Sequence, residues 1–369
     1  MDLSRPLKLS FVLGTRPEAI KLAPIILAAR DRPAQFEVEV ISSGQHREML
    51  DQMLRWFDID TTVDLNLMRA DQTITHITTA AIEGVGNHLA RSRPDWVLVQ
   101  GDTTTTFAGA LAAFYHRIPV AHVEAGLRTG DIYSPYPEEM NRLLTTRLAS
   151  LHLAPTPAAR CNLVREGVDE DQIVVTGNTG IDALLLTLER SGSELGHRPG
   201  EPNLLVTTHR RENHGAPMRS ICEAVLELLG RYPTMTATVP LHLSPQVRRT
   251  VTPLLGDHPR VELCEPLSYP DFVLAMARAT LILSDSGGVQ EEAPSLGKPV
   301  LVLRETTERP EAVDAGTALL VGADRELIVS TAVGLLDDPV AYRRVATVAN
   351  PFGDGTAARQ ILAALLSRR

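Results

Sequence analysis

Three polar clusters between Gln100 and Arg142 carry residue types that can move protons. They are Gly101-Asp102-Thr103-Thr104-Thr105-Thr106, His122-Val123-Glu124-Ala125-Gly126-Leu127-Arg128 and Pro137-Glu138-Glu139-Met140-Asn141-Arg142. The apolar runs Trp96-Val97-Leu98-Val99 and Ile118-Pro119-Val120-Ala121 precede the first two, so Asp102 and Glu124 are expected at the carboxyl ends of buried parallel strands. Open α/β sheets bind ligands at that end. Taken alone, Asp102 has an ordinary role as a helix N-cap. Glu124, reached directly from a buried strand, must be ion-paired, hydrogen-bonded or functional. Two carboxylates at one cleft can divide acid and base roles between them. Glu138 enters a helix behind Pro137, where an acidic side chain suits the helix dipole, and Arg142 four residues on is spaced to pair with it. Tyr133-Ser134-Pro135-Tyr136 is a loop able to cover a site.

A second set of residues suits phosphate. Gly14-Thr15-Arg16-Pro17-Glu18-Ala19-Ile20-Lys21 joins the first strand to its helix, which sets the Arg16 fork at a strand mouth with Lys21 one turn later. This is not a Gly-x-Gly-x-x-Gly loop, so nicotinamide binding through the usual fingerprint is unsupported. His209 ends a later strand in a position equivalent to Arg16, as a donor to a diphosphate or as an acid. Ser286, Gly287 and Gly288 follow another strand and open a helix on which a diphosphate can rest. Glu292, one turn inside, suits ribose hydroxyls, and Phe272 suits either a base or the core. His242 follows the strand that ends at Val239.

The positioning elements are strands and helices that alternate along the chain, as in parallel sheets with crossover helices. The first strand is Leu9 to Leu13, and Pro17 starts a helix with Ile20, Ala23, Ile26 and Leu27 on one face. Strands follow at Val38 to Ser42, Trp96 to Gln100, Val120 to Glu124, Leu151 to Ala154 and Ile173 to Thr176. A polar stretch from Ser191 to Pro202 interrupts the rhythm. A second set runs through Asn203 to Thr208, Thr236 to Val239, Val261 to Leu263, Leu281 to Ser284, Pro299 to Leu303 and Ala318 to Val321. Asn350-Pro351-Phe352-Gly353-Asp354-Gly355 then breaks the chain before a last amphipathic helix. The expectation is α/β, with two Rossmann-like domains facing a cleft, residues 1–180 and 190–350.

Composition narrows the partners. The chain has 369 residues, 44% of them hydrophobic and 22% charged, and no apolar run that approaches a membrane span. Its start lacks the apolar core of a signal peptide, which points to a cytoplasmic protein. A net charge of -9 without a basic run argues against nucleic acid. Three widely spaced cysteines, Cys161, Cys222 and Cys264, argue against a disulfide framework or a Cys-based zinc site, and each is expected in apolar packing. The eleven histidines contain no His-Glu-x-x-His pair.

Together, Gly14 to Lys21, Gly44-Gln45-His46-Arg47-Glu48-Met49-Leu50, the three proton-moving clusters, His209-Arg210-Arg211-Glu212-Asn213, Ser286 to Glu292 and Thr306-Thr307-Glu308-Arg309-Pro310-Glu311 resemble the non-hydrolysing bacterial UDP-N-acetylglucosamine 2-epimerases. The resemblance covers nearly the whole chain. It implies a glycosyltransferase-B-type fold whose last helix, 355–369, returns to the first domain. It also implies reversible conversion of UDP-N-acetylglucosamine to UDP-N-acetylmannosamine without metal, nicotinamide or other cofactor, in a homodimer that supplies surface polysaccharide. UDP is eliminated to give 2-acetamidoglucal and then added back. By matching motif, Asp102, Glu124 and Glu138 are the acid–base candidates and His209 stabilises departing UDP. Arg16, Ser286, Gly287 and Gly288 hold the diphosphate, Glu292 the ribose and Phe272 the uracil side, with Lys21 and Arg142 in support. Gln45, His46, Arg210 and His242 match residues that bind a second, activating UDP-N-acetylglucosamine in some members. Asp71 stands where activated members place Arg, which counts against activation here. The rivals are a hydrolysing epimerase that releases N-acetylmannosamine and UDP, a glycosyltransferase on this scaffold, and a non-catalytic sugar-nucleotide sensor.

Overall fold

The structure, a computed structural model, describes residues 5–45, 47–68, 72–192 and 202–369. The chain divides into two compact units, Met1–Ala183 with Phe352–Arg369, and Leu184–Pro351. Each is built on a parallel sheet.

In the first unit the strands are β1 (Leu7–Leu13), β2 (Phe36–Ser42), β3 (Val63–Asp64), β4 (Trp96–Gln100), β5 (Val120–Val123), β6 (Leu151–Ala154) and β7 (Ile173–Val175). They lie in the order β3-β2-β1-β4-β5-β6-β7. All five residues of β4 and all four of β5 are buried, because helices cover both faces of a parallel sheet and leave no polar side. Val12, Val97, Val99 and Val120 join Ala110 and Ala113 of the helix Thr104–Tyr115 in one apolar cluster. Order reverses between β1 and β4, and in sheets of this kind ligands bind outside the strand ends at such a switch point.

The second unit holds β8 (Asn203–Thr207), β9 (Thr236–Pro240), β10 (Val261–Cys264), β11 (Leu281–Ser284), β12 (Val300–Val302) and β13 (Ala318–Leu320), in the order β10-β9-β8-β11-β12-β13. Its switch point lies between β8 and β11. Leu204, Val206, Leu281, Leu283 and Leu301 pack with Ile221, Val225 and Leu228 of the helix Ala216–Arg231. Burying such side chains contributes ~1.5–3 kcal/mol each.

The helix Thr179–Arg190 carries the chain from one unit into the other. The C-terminal helix Ala357–Leu366 docks on the first unit. Buried Asp182 accepts its N-terminal Ala357 and Ala358 N–H groups, and Ile361, Leu362 and Leu365 face inward.

One strand is unanticipated, and one expectation changes. The two-residue strand β3 is too short to show a periodic pattern. Cys161 is exposed, since the helix Pro157–Arg165 turns Ala159 and Leu163 inward instead, and Cys264 is only half-buried. The polar stretch after Gly192 and before Pro202 lies outside the described residues. Among the described residues no helix is long and apolar enough to cross a membrane.

Candidate active site

In the first unit the polar residues gather at the switch point. Gly14 follows β1 where a Cβ would stand 2.0 Å from Ser43 Oγ and 2.5 Å from Thr105 Oγ1, so only glycine lets the two strand mouths approach this closely. Arg16 opens the helix Arg16–Arg30. The Gly14 and Thr15 N–H groups donate to Glu18 Oε2 at 2.9 and 2.8 Å. Glu18 is wholly buried. Its Oε1 accepts from Thr103 Oγ1 at 2.7 Å and lies 3.1 Å from Thr106 Oγ1, which also reaches the Gln100 carbonyl at 2.6 Å. Glu18 thus ties the loop of Arg16 to the loop of Asp102. Burial pushes its pKa up, against these hydrogen bonds.

Asp102 is not the helix cap. Thr103 Oγ1 takes that role by accepting the Thr106 N–H at 3.0 Å, which leaves the Asp102 carboxyl to pair with Arg142 Nη1. Arg142 does not pair with Glu138 as the four-residue spacing suggests. Its Nε and Nη2 donate to Glu139 Oε2 at 2.9 and 2.6 Å, because that buried carboxylate is already anchored by the Thr129 and Gly130 N–H groups. Burial works to raise Glu139, but Arg142 and the Gly130 N–H hold it below the usual range. Glu138 begins the helix Glu138–Leu148 and is half-buried, while Tyr133 and Tyr136 are exposed on the loop before it.

Glu124 follows β5 with φ +65°, a left-handed backbone that costs roughly 1–2 kcal/mol for a residue with a Cβ. Such strain collects at functional sites. The carboxylate is 8% exposed and surrounded by donors: Lys21 Nζ, Gln100 Nε2 and, at 3.3 Å, Asn178 Nδ2. Lys21 therefore bears on Glu124, one strand over from Asp102. Sequence reasoning does not single out Gln100 or Asn178, whose partner lies 24 and 54 residues away. Thr105 Oγ1 donates to Gln45 Oε1 at 3.0 Å, and His46 and Asp71 lie outside the described residues.

In the second unit His209 follows β8 and Asp285 follows β11, so they flank its switch point. Asp285 is wholly buried. His209 Nδ1 lies 2.9 Å from its Oδ1, and Oδ2 accepts from Thr208 Oγ1, the His209 and Arg210 N–H groups and Asn213 Nδ2, each at 2.9 Å. Burial acts to raise Asp285, but His209, Arg210 and Asn213 outweigh it and hold the carboxyl far below the usual range. The exposed His242 places its ring 5.7 Å from that of His209, and burial and the charge of His209 lower its pKa.

Ser286 precedes the short helix Gly287–Glu292. A Cβ on Gly287 or Gly288 would meet nothing closer than 3.9 Å, so both leave open backbone. The atoms nearest Gly287 are those of the Arg309 guanidinium, which Glu291 pairs and which sequence reasoning does not nominate. Half-buried Glu292 and Phe272 lie on that helix and on Tyr269–Arg278. Arg210 sends its side chain to Glu308 at 3.6 Å. Among the described residues no group of His, Cys, Asp and Glu is placed to hold a metal ion.

Two doubly wound parallel-sheet units with polar residues at their switch points place the chain in the glycosyltransferase-B-like class of two-domain α/β proteins. A family model described as UDP-N-acetylglucosamine 2-epimerase matches residues 28–366. The chain is 50% identical over 374 residues to the UDP-N-acetylglucosamine 2-epimerase of Escherichia coli K12, covering 98% of this chain and 99% of that one. It resembles the solved UDP-GlcNAc 2-epimerase of Neisseria meningitidis bound to UDP-GlcNAc, with a TM-score of 0.87, 47% identity and coverage of 98% and 100%. The Methanocaldococcus jannaschii UDP-GlcNAc 2-epimerase, solved with UDP-GlcNAc and UDP, is similar at a TM-score of 0.77, 34% identity and coverage of 98% and 100%. The chain belongs to the UDP-N-acetylglucosamine 2-epimerase family.

Proposed function

We propose that this protein interconverts UDP-N-acetylglucosamine and UDP-N-acetylmannosamine without net hydrolysis. A carboxylate removes the proton from C2 while the bond from C1 to the UDP oxygen breaks and its electron pair leaves with UDP. The product is 2-acetamidoglucal. UDP then adds back at C1 as a second group delivers a proton to the opposite face of C2. Asp102, Glu124 and Glu138 are the acid–base set, and positive charge at Arg16, His209 and Arg309 suits the departing diphosphate. Gly287 and Gly288 offer open backbone to phosphate, Glu292 suits the ribose and Phe272 the uracil.

The observation that carries this reading is Glu124, held at a strained backbone position by Lys21, Gln100 and Asn178. All three partners donate, which suits an anionic carboxylate. Asp102 is paired with Arg142 on the neighbouring strand mouth, so two carboxylates are fixed separately. Family membership and the solved relatives that hold UDP-GlcNAc or UDP support the substrate class. A homodimer in the cytoplasm, serving surface polysaccharide, belongs to the same proposal.

The test is incubation with UDP-N-acetylglucosamine in deuterated water. The expected product is UDP-N-acetylmannosamine carrying deuterium at C2. Free N-acetylmannosamine with stoichiometric UDP would replace this reading by the hydrolysing one, and unlabelled, unchanged substrate would overturn both. Asp102→Asn, Glu124→Gln and Glu138→Gln should each slow exchange by about 10²- to 10⁴-fold. A variant with near-normal exchange removes its residue from the set.

A further inference from the structure

We propose that Asp285 is a positioning residue for His209, fixing the imidazole as the Nδ1–H tautomer so that Nε2 is the nitrogen left to act on a ligand. Oδ1 lies 2.9 Å from His209 Nδ1 as an ion-pair contact, and an ionised carboxylate, which has no proton to give, favours the hydrogen on the nitrogen beside it. The other oxygen is fully committed, with four donors at 2.9 Å from Thr208, His209, Arg210 and Asn213. Asp285 therefore holds His209 twice, at its backbone N–H and at its ring. The ring itself is 38% exposed, against 0% for the carboxylate, and Nε2 makes no hydrogen bond among the described residues.

The mechanistic consequence rests on the proposed reaction. When the C1–O bond breaks and its electron pair passes to the UDP oxygen, a protonated His209 donates its Nε2–H to the departing diphosphate and keeps the proton. Buried Asp285 remains the counter-ion on the Nδ1 side. The proton lost from C2 goes to the carboxylate base, so His209 need not exchange one.

Asp285→Asn separates this role from simple loop anchoring. The amide has one oxygen, and the four donors at the Oδ2 position claim it, which turns the amide N–H₂ toward His209 Nδ1. A donor there forces Nδ1 to accept and moves the ring hydrogen to Nε2. The imidazolium then has a donor where it needs a counter-ion. The readout is long-range proton–nitrogen correlation on protein labelled with nitrogen-15 histidine. Spectra are taken at alkaline pH, where an imidazole is neutral, and His209 is assigned by the signals lost in His209→Gln.

Wild-type protein should show the hydrogen on Nδ1, and Asp285→Asn should show it on Nε2. With UDP-N-acetylglucosamine, kcat should fall by about 100-fold or more while KM stays within roughly three-fold, since the interaction matters as charge develops. An Nε2–H tautomer in the wild type overturns the proposal, and so does a folded Asp285→Asn protein that keeps the Nδ1–H form. So does loss of less than about ten-fold in kcat once the tautomer has inverted. If Asp285→Asn does not fold, the wild-type spectrum alone decides. Absence of C2 exchange in the wild type would remove the proposed reaction and leave the tautomer assignment to stand or fall on the spectrum.

Discussion

Each sheet buries one carboxylate completely at its switch point, Glu18 in the first unit and Asp285 in the second, and the two respond in opposite directions. Both lose water, which disfavours the charged form in each. Glu18 meets two backbone N–H groups and two threonine hydroxyls, one of which also reaches the Gln100 carbonyl. Burial wins there. Asp285 meets two backbone N–H groups, a carboxamide, a hydroxyl and an imidazole that can carry positive charge, and the donors win. The contrast teaches that donor character, together with depth, decides whether a buried carboxyl works as an anion. The second unit holds a permanent counter-ion behind its histidine, whereas the first uses its buried carboxyl as a tie between two loops.

The comparison breaks most readily at neutral pH. Asp285→Ala strands five donors and leaves His209 without its partner, so it should destabilise the second unit by roughly 3–5 kcal/mol, the range for removing one side of a buried pair. Glu18→Gln should cost about 1 kcal/mol or less, because an amide can accept from Gly14 and Thr15 while the threonine hydroxyls turn to accept from its N–H₂. Urea midpoints of the two variants against wild type test this. Equal losses would mean that donor character does not separate the sites.

Neither carboxylate stands out in the sequence, although the architecture around them does. The runs Trp96 to Gln100 and Leu281 to Ser284 are legible as strands because both faces of a parallel strand are apolar, and the polar residue after each run marks the strand mouth. Glu18 looks like any acidic residue in a first helical turn, and Asp285 like any aspartate after a strand. Their burial comes from partners 85, 88 and 76 residues away, which no local pattern encodes. Spacing also misleads at Arg142. Positions three and four residues back are both within reach, and the choice of Glu139 rests on the Thr129 and Gly130 N–H groups of a distant loop. What chemistry the mouths serve is legible only from many motifs taken together, since Asp102 alone reads as a cap that Thr103 in fact provides.

The low-pH side of the comparison is shared with two histidines, and removing one sharpens it. His122 and His152 face each other across β5 and β6, and burial holds them down to about 3 and about 4. Arg128 adds to the depression of both, and for His122 the Gly101 carbonyl opposes it. The unfolded chain takes up protons near 6.5 while the folded one does not, so stability falls as pH drops from about 6.5 toward 4 and 3. Replacing His152 by Leu should flatten that decline by up to about 3 kcal/mol between pH 6.5 and 4, at one pKa unit per ~1.4 kcal/mol. Denaturation midpoints across this range read it directly, and an unchanged slope would mean that His152 is already protonated in the fold.

With that background removed, the smallest effect is the most discriminating. The Asp285 pKa is depressed in the fold, so its contribution is present above 3.8 and is lost as pH falls below that value. Glu18 is raised, so its contribution is present below 4.5 and is lost as pH rises through its folded pKa. The stability of wild type relative to Glu18→Gln should therefore decline as pH increases above 4.5, whereas that of wild type relative to Asp285→Ala should grow as pH increases toward and past 3.8. Placed in the His152→Leu background, the two difference curves carry slopes of opposite sign. Slopes of the same sign would mean that Glu18 stays ionised in the fold, held by Thr103 and Thr106 as firmly as Asp285 is held by His209, and the two loops of the first unit would then be joined by an anion after all.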